Sequence, residues 1–103
     1  MTQPKLILLV RFRSPLSLDE VMSVSEKRVP EFQALAGLQQ KYYLQDSETG
    51  EYAGLYQWES PEALAEYRDS DLRASIAAAY QVEGEPRVEV YQVFRRLRNE
   101  PKT

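Results

Sequence analysis

Cysteine and histidine are both absent from the 103 residues. Without cysteine there is no disulfide, no thiolate nucleophile and no zinc–sulfur site. Without histidine the chain lacks the commonest general base and the commonest transition-metal ligand. Composition therefore excludes a serine–histidine–aspartate triad, a facial-triad iron and a histidine-ligated haem. Carboxylate chemistry and weak magnesium binding stay open. Positive charge is also scarce: 13 lysines and arginines against 16 acids leave a net charge of −3. That balance argues against nucleic acid or an anionic membrane as a partner. The apolar run at residues 6–10 is far too short to span a bilayer, and no signal-peptide core accompanies it, so the cytoplasm is the expected compartment.

What is present is ordinary for a globular protein, with 43% hydrophobic and 28% charged residues. The length fits one domain, expected over residues 1–97, followed by a basic tail at 98–103. A domain this small buries roughly 60–70% of its unfolded surface, so apolar area hidden in an oligomer adds to its stability.

Residues 5–13 (KLILLVRFR) read as a strand. Leu6, Leu8, Val10 and Phe12 share one face, and Ile7, Leu9 and Arg11 the other. Both faces are largely apolar, so helices are expected on one and a partner subunit on the other. Ser17 and Glu20 have capping-box spacing and open a helix expected over 18–36, interrupted near Pro30 and closed at Gly37. Residues 38–46 and 51–59 flank a polar glycine-containing segment and read as an antiparallel hairpin. Gly54, inside the second of these strands, signals a close backbone approach or room for something bulky. Ser60-Pro61-Glu62 starts another helix. A break at 69–71 precedes an alanine-rich helix at 72–80. Gly84-Glu85-Pro86 then turns the chain into a last strand at 87–95.

The order β-α-β-β-α-(α)-β predicts an α+β fold of the ferredoxin-like, split βαβ kind, a four-stranded antiparallel sheet with helices on one face. Residues 53–67 (AGLYQWESPEALAEY) carry a family resemblance: a small-Gly strand, an aromatic at its end, then a serine-capped helix with alanine and an aromatic. Leu35-Ala36-Gly37-Leu38 and Tyr91-Gln92-Val93-Phe94 fit in order. The chain resembles the dimeric α/β-barrel proteins, and among them the antibiotic-biosynthesis mono-oxygenase group. The resemblance implies a homodimer whose sheets pack face to face, and a pocket between each sheet and its own helices. It also implies a class that includes cofactor-free oxygenases of quinols and polycyclic phenols. Lacking histidine, the chain departs from the haem-degrading branch. No catalytic motif matches, so no catalytic residue carries over, and neither a cofactor nor a metal is expected.

Seven tyrosines, three phenylalanines and one tryptophan are the main chemical signal. Aromatic walls with a few hydroxyls suit a flat phenolic or quinone-like ligand; the plainer reading is packing. The expected pocket is bounded by Phe12, Tyr56, Trp58, Tyr67 and Phe94, with Leu18, Met22 and Tyr67 above it and Gly54 providing space. Arg11 is a sixth candidate, able to hold a phenolate or carboxylate or to stabilise reduced oxygen. The reading favoured for it is an ion pair with Glu89 or Glu59. Glu62, Glu66, Asp69 and Asp71 read as solvated or capping acids. Arg95, Arg96, Arg98 and Lys102 read as a solvated basic stretch. Ile7, Leu9, Tyr91 and Val93 are the expected dimer contacts, or Leu8, Val10, Val90 and Phe94 if the faces are exchanged. Two functions fit these residues: a cofactor-independent mono-oxygenase of an aromatic metabolite, or a non-catalytic dimeric domain that binds a small ligand or is structural.

Overall fold

A computed structural model describes residues 5–98. The first strand, β1 (Leu6–Arg13), is followed by α1 (Leu18–Gln33) and the hairpin β2 (Leu38–Gln45) and β3 (Tyr52–Trp58). Three short helices, α2 (Pro61–Arg68), α3 (Asp71–Ala74) and α4 (Ile76–Ala79), lead to β4 (Glu83–Gln92). The strands form one antiparallel sheet in the order β2-β3-β1-β4. This is the ferredoxin-like arrangement expected from the sequence.

The alternation in β1 sets the layers. Leu6, Leu8, Val10 and Phe12 are all buried, and across β3 they pair with Trp58, Tyr56, Gly54 and Tyr52. With Phe32, Leu64, Tyr67, Ile76 and Tyr80 from the helices, these side chains make the core. No charged or polar side chain of the described residues is fully buried. Ile7, Leu9 and Arg11 point the other way and pair with Gln57, Leu55 and Ala53. Tyr91 pairs with Ile7 and so shares that uncovered face.

Local chemistry explains the helix starts. Ser17 Oγ accepts from the Glu20 amide at 3.2 Å, and Glu20 Oε1 accepts from the Ser17 amide at 2.9 Å. Ser60 Oγ caps α2 through the Ala63 amide at 3.1 Å. Gly37 is required twice over. Its φ is +83°, and a Cβ there would run into Ala63 at the start of α2.

Four sequence expectations are corrected. Pro30 does not interrupt α1, which continues to Gln33 and ends at Ala34 rather than Ala36. In the last turns only one amide is lost, and the helix absorbs it. The helix expected over 72–80 is two single turns meeting at Ser75. Gly84-Glu85-Pro86 is not a turn before the last strand. It lies within β4, at a bulge opposite Arg11 and Arg13 where Gly84 takes φ +69°; on an edge strand a proline costs no sheet hydrogen bond. β4 therefore begins at Glu83 and ends at Gln92, before Val93 and Phe94. Of the tail expected at 98–103, all but Arg98 falls outside the described residues, Lys102 included. Among the described residues no helix is long and apolar enough to cross a membrane.

Candidate functional site

The N-terminal half of α1 stands off the sheet. Phe32, near its other end, is its one buried residue, whereas Leu18 and Met22 are 46% and 56% exposed. Between this half-helix and the sheet lies a cavity of about 350 Å³, at the lower end of small-molecule sites, roughly 300–1,000 Å³. Val10 and Phe12 of β1, Gly54 and Tyr56 of β3, and Lys41 and Tyr43 of β2 form its sheet side. Leu18, Val21, Met22 and Ser25 come from α1, and Ile76 and Tyr80 close the inner end. The mouth opens between α1 and the edge strand β2, where Met22 and the 46%-exposed Tyr43 meet solvent.

Gly54 shapes this floor, though differently from the sequence expectation. Its space is taken by the ring of Tyr56: a Cβ on Gly54 would stand 3.0 Å from Tyr56 Cε1 and 3.3 Å from Oη. The glycine lets that ring lie down on the strand. Tyr56 Oη accepts from Tyr67 Oη at 3.1 Å, and burial pushes both phenols up. Phe12, Tyr52 and Tyr80 form a second aromatic group, with Phe12 5.5 Å from Tyr80 and 6.0 Å from Tyr52 between centroids. Tyr52 Oη donates to Leu16 O at 2.8 Å. Burial pushes Tyr80 up to about 12. The hydroxyls of Tyr56, Tyr67 and Tyr80 stay neutral at physiological pH and can donate or accept hydrogen bonds.

Of the six candidates from the sequence, Phe12 and Tyr56 line the cavity. Trp58 and Tyr67 do not. They pack at 5.2 Å in the adjoining core, with Trp58 0% exposed beneath α2. Phe94 is 94% exposed, because β4 has ended two residues earlier and its side chain has no sheet neighbour to pack on. Arg11 lies on the opposite sheet face from the cavity and pairs with neither Glu89 nor Glu59. Its Nη2 contacts Asp46 Oδ2 at 2.8 Å and Glu51 Oε1 at 3.1 Å. Both acids flank the hairpin turn and share the face of Arg11. The Asp46 carboxyl is held down at about 2, first by the amides of Thr49 and Glu48 and then by Arg11.

The sequence reading missed Lys41. Among the described residues it is the only cation in the cavity lining, and none of their acids lines the cavity. Lys41 Nζ lies 3.5 Å from the ring centroid of Phe32, 4.4 Å from Tyr43 and 4.6 Å from Tyr56. Among the described residues no carboxylate lies within salt-bridge distance of it. Burial, reinforced by the like charge of Arg28, lowers this amine to about 7, while the three ring faces favour its ammonium form. A bulge explains why alternation conceals it. Leu38 pairs with Trp58, yet Gln40 pairs with Gln57, so β2 carries one extra residue. Counting by twos from the core residue Leu38 puts Lys41 on the open face; the bulge swings it under α1. Among the described residues no group of three or more acids is placed to hold a metal.

No family model matches the sequence, and no curated protein matches it. Solved structures do. A protein of unknown function from Nitrosomonas europaea superposes with TM-score 0.76 at 14% identity, over 98% of this chain and 100% of that one. SnoaB, a cofactor-independent oxygenase from Streptomyces nogalater, gives 0.73 at 14% identity, over 93% and 99%. A Caulobacter crescentus protein described as a candidate antibiotic biosynthesis monooxygenase gives 0.70 at 19% identity, over 91% and 93%. The chain thus has the ferredoxin-like α+β fold shared by antibiotic-biosynthesis monooxygenase-like proteins.

Proposed function

We propose that the protein is a cofactor-independent mono-oxygenase of a small phenolic or quinol metabolite, working as a homodimer. The observation that carries this reading is the cavity between α1 and the sheet. It is walled by aromatic and aliphatic side chains, with Tyr43, Tyr56 and Tyr80 in its lining and, among the described residues, a single cation, Lys41. A flat hydroxylated ring suits that wall by stacking, and a few polar groups fix its orientation. The fold shared with SnoaB adds weight to the choice of chemistry, although fold by itself does not decide function.

An electron-rich phenolate supplies the electrons itself. Overall, a phenol and dioxygen give a para-quinone and water. The para C–H and the O–H are lost, one oxygen atom enters the new carbonyl, and the other leaves in water. The protein's part is to bind the ring, ionise its hydroxyl and exclude bulk water. Dimerisation is proposed through the uncovered sheet face, where Ile7, Leu9, Leu55 and Tyr91 leave apolar area that no helix of the described chain covers.

The test is oxygen uptake by the purified protein with a panel of naphthols, naphthohydroquinones and anthrones, with no cofactor added. The reading predicts uptake above autoxidation and, for the naphthols and anthrones, one labelled oxygen atom per quinone from ¹⁸O₂. Ligand binding with no uptake across the panel would assign the cavity to a non-catalytic binding protein instead.

A further inference from the structure

We propose that Lys41 takes the proton of the ligand's acidic hydroxyl and then holds the phenolate as its ammonium counter-ion, so that the cavity selects hydroxylated aromatics over their neutral analogues. The inference rests on reading the cavity as an aromatic site, but not on turnover.

Three observations carry it. Among the described residues Lys41 is the only cation lining the cavity and no acid lines it, so none of their carboxylates competes there with a ligand anion for it. Its Nζ is held by rings, at 3.5 Å from the Phe32 centroid and 4.6 Å from that of Tyr56. Ring faces favour a cation but leave its N–H groups free of an ionic partner. Third, the bulge in β2 brings this lysine to the helix-covered face against simple alternation, so its position follows from a specific backbone feature. An unpaired ammonium in partly apolar surroundings is costly unless an anion is recruited.

The groups facing the amine are Arg28 from α1, Tyr43 on its own strand and Tyr56 from β3. Arg28 is turned toward α3 and α4, donating through Nη2 to Ser75 Oγ at 2.6 Å and to Leu72 O at 3.4 Å. Its charge lowers Lys41 without pairing with it. Tyr56 is neutral and buried. Lys41 is therefore the group in this wall able to exchange a proton near neutrality, in keeping with its lowered value of about 7. In the step itself the phenol O–H bond breaks, an N–H bond forms on the neutral amine, and an ammonium–phenolate pair remains. No electron moves.

The experiment uses 3-nitrophenol, whose phenolate absorbs at longer wavelength than the phenol, at about pH 7.5, where the free probe is mostly neutral and Lys41 has largely released its proton. Naphthalene serves as an uncharged control followed by calorimetry. With the wild-type protein in excess, the bound probe is expected to show the phenolate band. Lys41→Met should lose that band and weaken probe binding about 10- to 100-fold, while binding naphthalene like the wild type. If Lys41→Met does not fold, Lys41→Gln is read in the same way. A phenolate band of equal size in the folded variant, or a probe bound as the neutral phenol by the wild type, would overturn the assignment. Failure of both probes to bind the wild type would overturn it together with the reading of the cavity as an aromatic site. An absence of oxygen uptake alongside the expected binding results would sink the oxygenase reading alone.

Discussion

Lys41 shows how one side chain ties stability to the site. Below about pH 7 it is charged in the folded and unfolded chain alike, and the folded state bears the cost of a partly buried ammonium. Between about 7 and the unperturbed value of 10.5, the folded amine has released its proton while the unfolded chain still binds one. Stability should therefore rise with pH across that window. Lys41→Met lacks this slope. It should be more stable than the wild type by about 1–3 kcal/mol at pH 6, after allowing for the side chain's partial exposure, and the gap should close toward pH 10.5. Denaturant melts at several pH values check this. A pH-independent gap would mean that packing, not charge, sets the difference.

At the scale of elements, two glycines make a comparison. Gly37 and Gly50 both have positive φ, at +83° and +78°, but only Gly37 has a neighbour in the way. Gly50→Ala should cost about 1–2 kcal/mol, the penalty for a left-handed alanine. Gly37→Ala should cost clearly more, because α2 must also shift where Ala63 abuts the loop. Equal costs in thermal or denaturant unfolding would show that the contact with α2 is unimportant. These elements also show where the sequence was legible. The caps at Ser17 and Ser60, the hairpin and the inward set of β1 follow from local pattern alone. The bulges in β2 and β4 do not, because they depend on register with a neighbouring strand. The β2 bulge is what concealed Lys41. Phe94 and Trp58 were misplaced for related reasons: the extent of β4 and the seat of α2 are set by tertiary contacts rather than by hydrophobicity. Arg11 was rightly expected to form ion pairs, but its partners lie at the hairpin turn.

At the scale of the whole molecule, the helices of the described residues cover one face of the sheet and leave the other open. Ile7, Leu9 and Leu55 form an apolar centre on the uncovered side, edged by Tyr42, Leu44 and Tyr91, each 43–51% exposed. A patch of this kind on so small a domain fits a self-association surface. Sedimentation should give a dimer at micromolar concentration, and Leu9→Arg should give a folded monomer by placing a charge at the centre of the patch. A wild-type monomer would remove dimerisation from the proposed function. Ligand is proposed to enter on the other face, under α1, and titration of ¹⁵N-labelled protein with 1-naphthol checks this. The amides of Met22, Ser25, Lys41, Tyr43, Gly54 and Ile76 are predicted to shift together and saturate with one ligand per chain. Shifts centred on Ile7, Leu9 and Leu55, or no saturable shifts at all, would contradict it.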